Sequence, residues 1–258
     1  MSTPGPIPLD WKPVHLPGPV TLRGRWVTLE PLNAERHAEA LWRAVQGHDE
    51  LWTWLFDGPF GNRSDLHRAL EEKQAAANAV FLAIVPAATG EAGSWRAGLD
   101  PWSVQTAGYA SYMRMDSANG VVEVGNILLA PALQRTVAAT EAMYLMAGHV
   151  FDHLGYRRYE WKCNALNEPS RRAALRLGFT FEGIFRQHMV IKGFNRDTAW
   201  FSMLDSEWPA RKKALESWLE PANFDPEGRQ RKRLEQFQAA GLGTTEQAAE
   251  KLGRAKVL

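Results

Sequence analysis

Cysteine is almost absent from this chain of 258 residues, and the single thiol, Cys163, excludes an internal disulfide framework or a multi-cysteine metal site. Long apolar runs are absent as well. No stretch approaches the ~20 apolar residues of a membrane-crossing helix, and no early basic-then-apolar segment has the form of a secretion signal. Charge of either sign is not in excess: 30 Lys and Arg stand against 29 Asp and Glu, a net charge of +1 that gives no electrostatic case for nucleic acid as the main partner. The phosphate-loop pattern G-x-x-x-x-G-K-[ST] and the dinucleotide pattern G-x-G-x-x-G are both missing, and so is any internal repeat. These absences leave a soluble cytoplasmic protein with no membrane partner. What the chain does have is a 45% apolar fraction and eleven tryptophans, enough for a sizeable core in one large domain or two small ones.

Six prolines in residues 1–20 prevent a helix or a central strand, so residues 1–19 read as an extended arm that Trp11 pins down. Residues 20–220 read as the folded domain and 221–258 as a polar helical tail. Alternation over Val20–Arg23 and Trp26–Glu30 gives a first strand interrupted at Gly24. Asn33 and Ser64 each precede a helical pattern. Between those helices, LWTWLFDGPFG is too apolar for a solvated loop and is either core or the wall of a substrate groove. A buried strand at Phe81–Val85 and a Gly/Ala/Trp loop at 87–105 follow. Two strands, Ala107–Met115 and Val121–Leu129, flank Asn119-Gly120 as an antiparallel hairpin. A long apolar helix at Thr140–Leu154 then closes at Gly155, and Arg158–Cys163 alternates as a strand with one buried face. Asn167–Leu177 is a helix with Pro169 in its first turn, and Phe179–Lys192 with Thr198–Leu204 form a last hairpin. Residues 206–220 read as an exposed charged helix, and TTEQAAEKLG as a short capped one. Arg229–Arg233 is read as a solvated face in preference to an RNA contact.

The stretch that organises the chain is VVEVGNILLAPALQRTVAATEA, residues 121–142, where a strand empties into a helix N-terminus and backbone N–H groups converge. Within it, NILLAPALQRTVAATEA resembles the central motif of the Gcn5-related N-acetyltransferases (GNAT), a strand ending I-x-V-x-P followed by Q/R-x-x-G-x-G/A and a helix. The A-T-E-A at Ala139–Ala142 is similar to the RimJ/RimL-like branch, which acetylates ribosomal-protein N-termini. Asn167-Glu-Pro-Ser170, Leu177-Gly-Phe-Thr-Phe-Glu-Gly183 and IKGFNRDTAWFSML follow in family order, so the resemblance spans about residues 20–205. It implies an α/β (α+β) fold: a central mixed, mostly antiparallel twisted sheet flanked by helices and splayed between its fourth and fifth strands.

The resemblance also implies an acetyl-CoA-dependent, metal-free N-acetyltransferase acting by direct attack in a ternary complex. Pantetheine would pair with the backbone of Ile127, Leu128 and Leu129 as a pseudo-strand. The pyrophosphate would rest on N–H groups of Gln134, Arg135, Thr136, Val137, Ala138, Ala139 and Thr140, with the Arg135 charge and the Thr140 hydroxyl added. Asn167 would bond the pantetheine chain, and it is equally a helix N-cap. The departures sit at working positions: Val137 stands where the family has a loop glycine, Ala174 where many members have a tyrosine acid, and Met189 where the RimL-type enzymes have a glutamate. Ser170 matches a serine that can protonate the leaving sulfur, or else caps its own helix. The base is open between Glu123, which can instead pair with Arg114 across the hairpin, and His188, which faces away unless a bulge intervenes. A water chain would also serve an α-amine of pKa ~8. The acceptor is an amine: a protein or peptide N-terminus, a small amine or an aminoglycoside, with residues 51–60 and 95–102 walling its pocket. A homodimer is compatible with this reading. The rival reading from another class is a catalytically inactive acyl-CoA-binding or protein-interaction module.

Overall fold

The computed structural model describes residues 9–87 and 105–241, so residues 95–102 and the TTEQAAEKLG segment lie outside the described residues. Its eight strands are β1 (Leu22–Arg23), β2 (Val27–Pro31), β3 (Ala79–Pro86), β4 (Gly108–Asp116), β5 (Val121–Leu129), β6 (Arg158–Asn164), β7 (Thr180–Ile191) and β8 (Phe194–Leu204). They form one sheet in the order β1-β2-β3-β4-β5-β6-β8-β7. Every neighbouring pair is antiparallel except β5 and β6, which run parallel. Six α-helices complete the described chain: α1 (Ala34–Val45), α2 (Arg63–Gln74), α3 (Val137–Gly148), α4 (Glu168–Leu177), α5 (Trp208–Leu219) and α6 (Leu234–Gly241). This is the mixed, mostly antiparallel sheet flanked by helices that the sequence implies.

Strand alternation assigns the helices to faces. Tyr109 packs edge-on against Phe81 beneath the Lys73 ammonium of α2, whereas Tyr112, three residues on, donates its hydroxyl to the Met146 carbonyl of α3. The pair α1–α2 thus covers one face and α3 the other. The second face continues through Val124 and Trp161 to Tyr159, whose ring meets Phe151 and Phe179.

The feature that matters for function is a wedge in the middle of the sheet. Strands β5 and β6 pair only over Val121–Val124 and Arg158–Trp161. Beyond that, β5 stays with β4 as far as Leu129 opposite Gly108, and β6 stays with β8 as far as Asn164 opposite Thr198. A register shift between Tyr109 and Ser111 and a left-handed Asn126 (φ 49) bend β5 away. The β5 backbone from Gly125 to Leu129 therefore presents an open ladder edge toward β6.

Several local expectations are revised. The interrupted first strand is a tight hairpin of β1 and β2. Its backbone N–H groups at Arg25, Trp26 and Val27 all donate to the Glu141 carboxylate of α3, at 2.9, 2.6 and 3.0 Å. A Cβ on Gly24 would fall on that carboxylate, which accounts for the glycine. The cap of α2 is Asn62, not Ser64. Helix α3 begins at Val137, three residues before the expected start, because Thr136 caps it by accepting from the Ala139 N–H. Strand β6 is buried on both faces, its Glu160 and Lys162 included. Helix α5 is not an exposed charged helix, since it buries Trp208, Leu215, Trp218 and Leu219. The arm does hold by Trp11, whose indole N–H donates to the Ala118 carbonyl at 2.7 Å while Arg157 stacks on its ring. Arg229 is tied to Asp225 and Glu227.

Candidate active site

A cavity of about 120 Å³ occupies the wedge and reaches both faces of the sheet. From the α1–α2 face it is lined by Glu123, Lys162 and Arg196, and from the other by Trp161, Cys163 and Ser170. Ile127, Asn126 and Asn167 also border it, and Leu51, Trp54 and Phe56 close one side. A wider cavity of about 540 Å³ shares Trp54, Asn164 and Arg196 with it and adds Trp52, Ile191 and Phe194. The aromatic segment after α1 is thus both core and wall: Trp52 is buried against Phe60 while Trp54 faces the cavities. Lys192 ties that wall to the β7–β8 hairpin by donating to the carbonyls of Trp52 (2.8 Å) and Asp57 (2.6 Å).

Ser170 lies in the first turn of α4 for a local reason. Asn167 caps this helix, its Oδ1 accepting the Ser170 N–H at 3.1 Å, and Pro169 fits the first turn. Asn167 fills its capping role and also lines the cavity, so the two readings coexist. The Ser170 hydroxyl accepts the Trp161 indole N–H at 2.9 Å. An indole nitrogen only donates, so this bond occupies a lone pair of the serine and leaves its proton for another acceptor. Burial pushes the neighbouring Cys163 thiol up, and the Ser170 hydroxyl offsets part of that rise.

Glu123 is buried and ion-paired at Oε2 with both Arg114 (2.8 Å) and Lys162 (2.9 Å). Lys162 continues to Glu160 at 2.6 Å, and Arg158 joins Glu160 to Glu182. Three carboxylates and three cations thus alternate over residues of β4, β5, β6 and β7. Glu123 is the one carboxylate bordering the smaller cavity among the described residues. His188 is not brought there. The strand does bulge, with Phe185 to Met189 facing Thr198 to Arg196 and Gln187 left-handed (φ 51). The bulge turns the imidazole onto the Thr198 hydroxyl (2.9 Å) and the Phe185 and Trp200 rings, outside both cavities.

At the other end of the wedge, α3 presents its N-terminus beyond Leu129. The expected set of phosphate donors narrows here. The Gln134 N–H is spent on the Ala130 carbonyl (3.1 Å), and its side chain donates to the Leu129 carbonyl at 3.0 Å. The Thr136 N–H reaches the Leu133 carbonyl (3.4 Å), Ala139 bonds the cap, and Thr140 bonds the Thr136 carbonyl. The Thr140 hydroxyl is turned inward, accepting from Arg176 at 3.1 Å, and so is not free for a phosphate. Among the described residues, the N–H groups of Arg135, Val137 and Ala138 remain without an internal acceptor. Val137 is the first residue of the helix, and the left-handed residue of the loop is Arg135 (φ 61). A free first turn beside an open strand edge fits a coenzyme A chain, with pantetheine along Ile127–Leu129 and phosphates on the helix.

Trp161, Lys162 and Arg196 were missed in the sequence. Trp161 and Lys162 read as ordinary strand alternation, and Arg196 reads as part of the turn of the last hairpin, whereas β8 already begins at Phe194. The pairing of Trp161 with Ser170 depends on the β6-to-α4 connection folding back, for which no local pattern exists.

Residues 27–180 match the family model described as acetyltransferase (GNAT) domain. "Putative ribosomal N-acetyltransferase YdaF" of Bacillus subtilis (strain 168) is 26% identical over 194 residues, covering 71% of this chain and 92% of the relative. The crystal structure of a GCN5-related N-acetyltransferase from Brucella melitensis superposes with a TM-score of 0.81 at 47% identity, covering 89% of this chain and 98% of that one. A RimL ribosomal L7/L12 alpha-N-protein acetyltransferase, solved with coenzyme A, shares the fold at a TM-score of 0.57 and 18% identity over 72% of this chain and 98% of that one.

Proposed function

The chain belongs to the GNAT acetyltransferase family, and from that premise we propose that it transfers an acetyl group from acetyl-CoA to a primary amine by direct attack in a ternary complex. The observation that carries the reading is the cavity in the β5–β6 wedge, where the open strand edge, Ser170 and a buried carboxylate meet. The amine is that of a protein or peptide N-terminus or of a small molecule, and the ribosomal relatives favour the former.

Each working part has a physical role. The open β5 edge at Ile127–Leu129 holds the donor's pantetheine arm and offers a backbone N–H to the thioester oxygen, where negative charge develops. Arg135, Val137 and Ala138 receive the pyrophosphate. Glu123 draws the incoming amine by accepting its N–H. Its Oε2 is already held by Arg114 and Lys162, and the amine proton leaves through water. As the C–N bond forms and the C–S bond breaks, Ser170 gives its proton to the departing sulfur, a direction set by the Trp161 bond, and the proton that the amine releases to water restores the serine hydroxyl.

Cys163 borders the same cavity, so an acyl-enzyme route must be distinguished. Its thiol is buried and pushed up, which opposes the thiolate that acylation requires. Initial rates of thiol release, measured with both substrates varied, test the proposal. Intersecting reciprocal plots and a Cys163→Ala variant that keeps activity are expected; parallel plots with an inactive Cys163→Ala variant would replace direct attack by a two-step route.

A further inference from the structure

Arg196 enters both cavities from β8, on the face that carries Thr198 and Trp200. Only 6% of it is exposed, and among the described residues its side chain makes no hydrogen bond and no ion pair. Its Nε is buried without an acceptor, and its guanidinium stacks over the Phe56 ring at 5.3 Å.

The surrounding charges do not account for it. Glu123, Glu160 and Glu182 are matched one for one by Arg114, Lys162 and Arg158. The Glu123 charge attracts Arg196 through space and Arg114 opposes it. Asp49 borders the wider cavity from an exposed turn and makes no ion pair with it. A guanidinium does not deprotonate in a protein, and a buried charge left unpaired is strongly unfavourable. Aromatic walls around one unspent cation describe half of an ion pair whose other half arrives with a ligand.

We infer that Arg196 anchors a carboxylate on the acceptor, so that the preferred substrate is an amine bearing a carboxylate alongside it. This rests on reading the wedge as the acetylation chamber. The planar fork of arginine matches a carboxylate with two parallel bonds. Lys192, the other cation on the wider cavity, already donates to the Trp52 and Asp57 carbonyls, so Arg196 is the cation there with free donors; it suits a monoanion, and the nearby Glu123 charge disfavours a dianionic phosphate. The donor's own phosphates are not the partner, because no residue from 130 to 140 lines either cavity. The carboxylate can be that of a free amino acid or of an acidic side chain near a peptide N-terminus.

Two matched pairs on the full chain separate these sources: glycine against glycinamide, and the amide of Ser-Glu-Ala against that of Ser-Gln-Ala. In the wild type, kcat/KM is expected to favour the carboxylate member of one pair by about tenfold or more, the scale of one buried charge-assisted contact. In Arg196→Met that preference collapses, Arg196→Lys retains part of it, and KM for acetyl-CoA is unchanged in both. The favoured carboxylate also raises the melting temperature of the wild type and leaves Arg196→Met unmoved. Turnover of both members of both pairs at equal kcat/KM overturns the inference, as does a preference that survives in Arg196→Met. An Arg196-dependent thermal shift without turnover of any amine keeps the anion site and removes the acetylation reading. Absence of both overturns both.

Discussion

Val137 stands where the resemblance places a loop glycine, and replacing it with glycine separates two accounts of the phosphate loop. If the loop needed glycine freedom, Val137→Gly would tighten coenzyme A binding. The structure predicts otherwise. Val137 is the first residue of α3 with helical backbone, its N–H is already free, and its side chain is 8% exposed in the core. Deleting three buried carbons at ~0.8 kcal/mol each costs about 2–3 kcal/mol. At ~2–4 °C per kcal/mol for a chain of this size, the melting temperature should fall by about 5–10 °C. Val137→Ala removes two of the three carbons and regains helix propensity, so it should lose about 1 kcal/mol. Differential scanning fluorimetry reads the stability term, and calorimetric titration with coenzyme A reads the affinity, expected within about twofold of wild type. A melting temperature unchanged with affinity up by tenfold would refute the reasoning, since it would mean that the valine side chain holds the loop off the phosphates.

Other residues give further predictions. Trp161→Phe keeps the aromatic contact with Phe179 but removes the donor to Ser170, so kcat should fall by about 2–10-fold, the worth of one net hydrogen bond, with KM for acetyl-CoA unchanged. Combined with Ser170→Ala it should add nothing in a double-mutant cycle, and full additivity would dissociate the indole from the serine. Lys162→Met strands part of the charge on Glu123 and Glu160 and should cost about 3–5 kcal/mol by urea unfolding, partly restored by adding Glu123→Gln. A loss under 1 kcal/mol would show the network to be solvated. His37 accepts the Asn33 N–H at Nδ1 and donates from Nε2 to Glu30, a neutral tautomer, and burial holds its pKa below 6.5. The unfolded state therefore takes up a proton first: His37 contributes stability fully above about pH 6.5 and loses it as pH falls toward the folded value. Melting curves of wild type and His37→Gln should converge on acidification, and a constant gap would contradict the assignment.

Much of the fold was legible because local signals and tertiary structure agree. Asn33 and Asn167 cap helices as read, Gly178 ends α4 in the left-handed region, and the β4–β5 hairpin turns at Asn119-Gly120. The failures have a shared cause, contacts between distant segments. Arg158, Glu160 and Lys162 alternate like a solvated face, yet partners on β5 and β7 let that face be buried. Helix α5 looks exposed because its charges are visible in the sequence and the surface it covers is not. The strand-to-helix junction proposed as the donor cradle was legible. Its detailed donor set was not, because Gln134 and Thr140 spend their polar groups internally. Arg196 was illegible for the same reason that makes it informative: in sequence, an arginine in a hairpin looks hydrated.

The most direct test of the account is mass-spectrometric identification of the acceptor product after incubation with acetyl-CoA. Wild type is predicted to place one acetyl group on the amine nitrogen, with one equivalent of free thiol released, and Ser170→Ala to form the same product more slowly. Binding of coenzyme A with no acetylated amine across N-terminal peptides, amino acids and small amines would contradict the assignment of the wedge as an acetyl-transfer site.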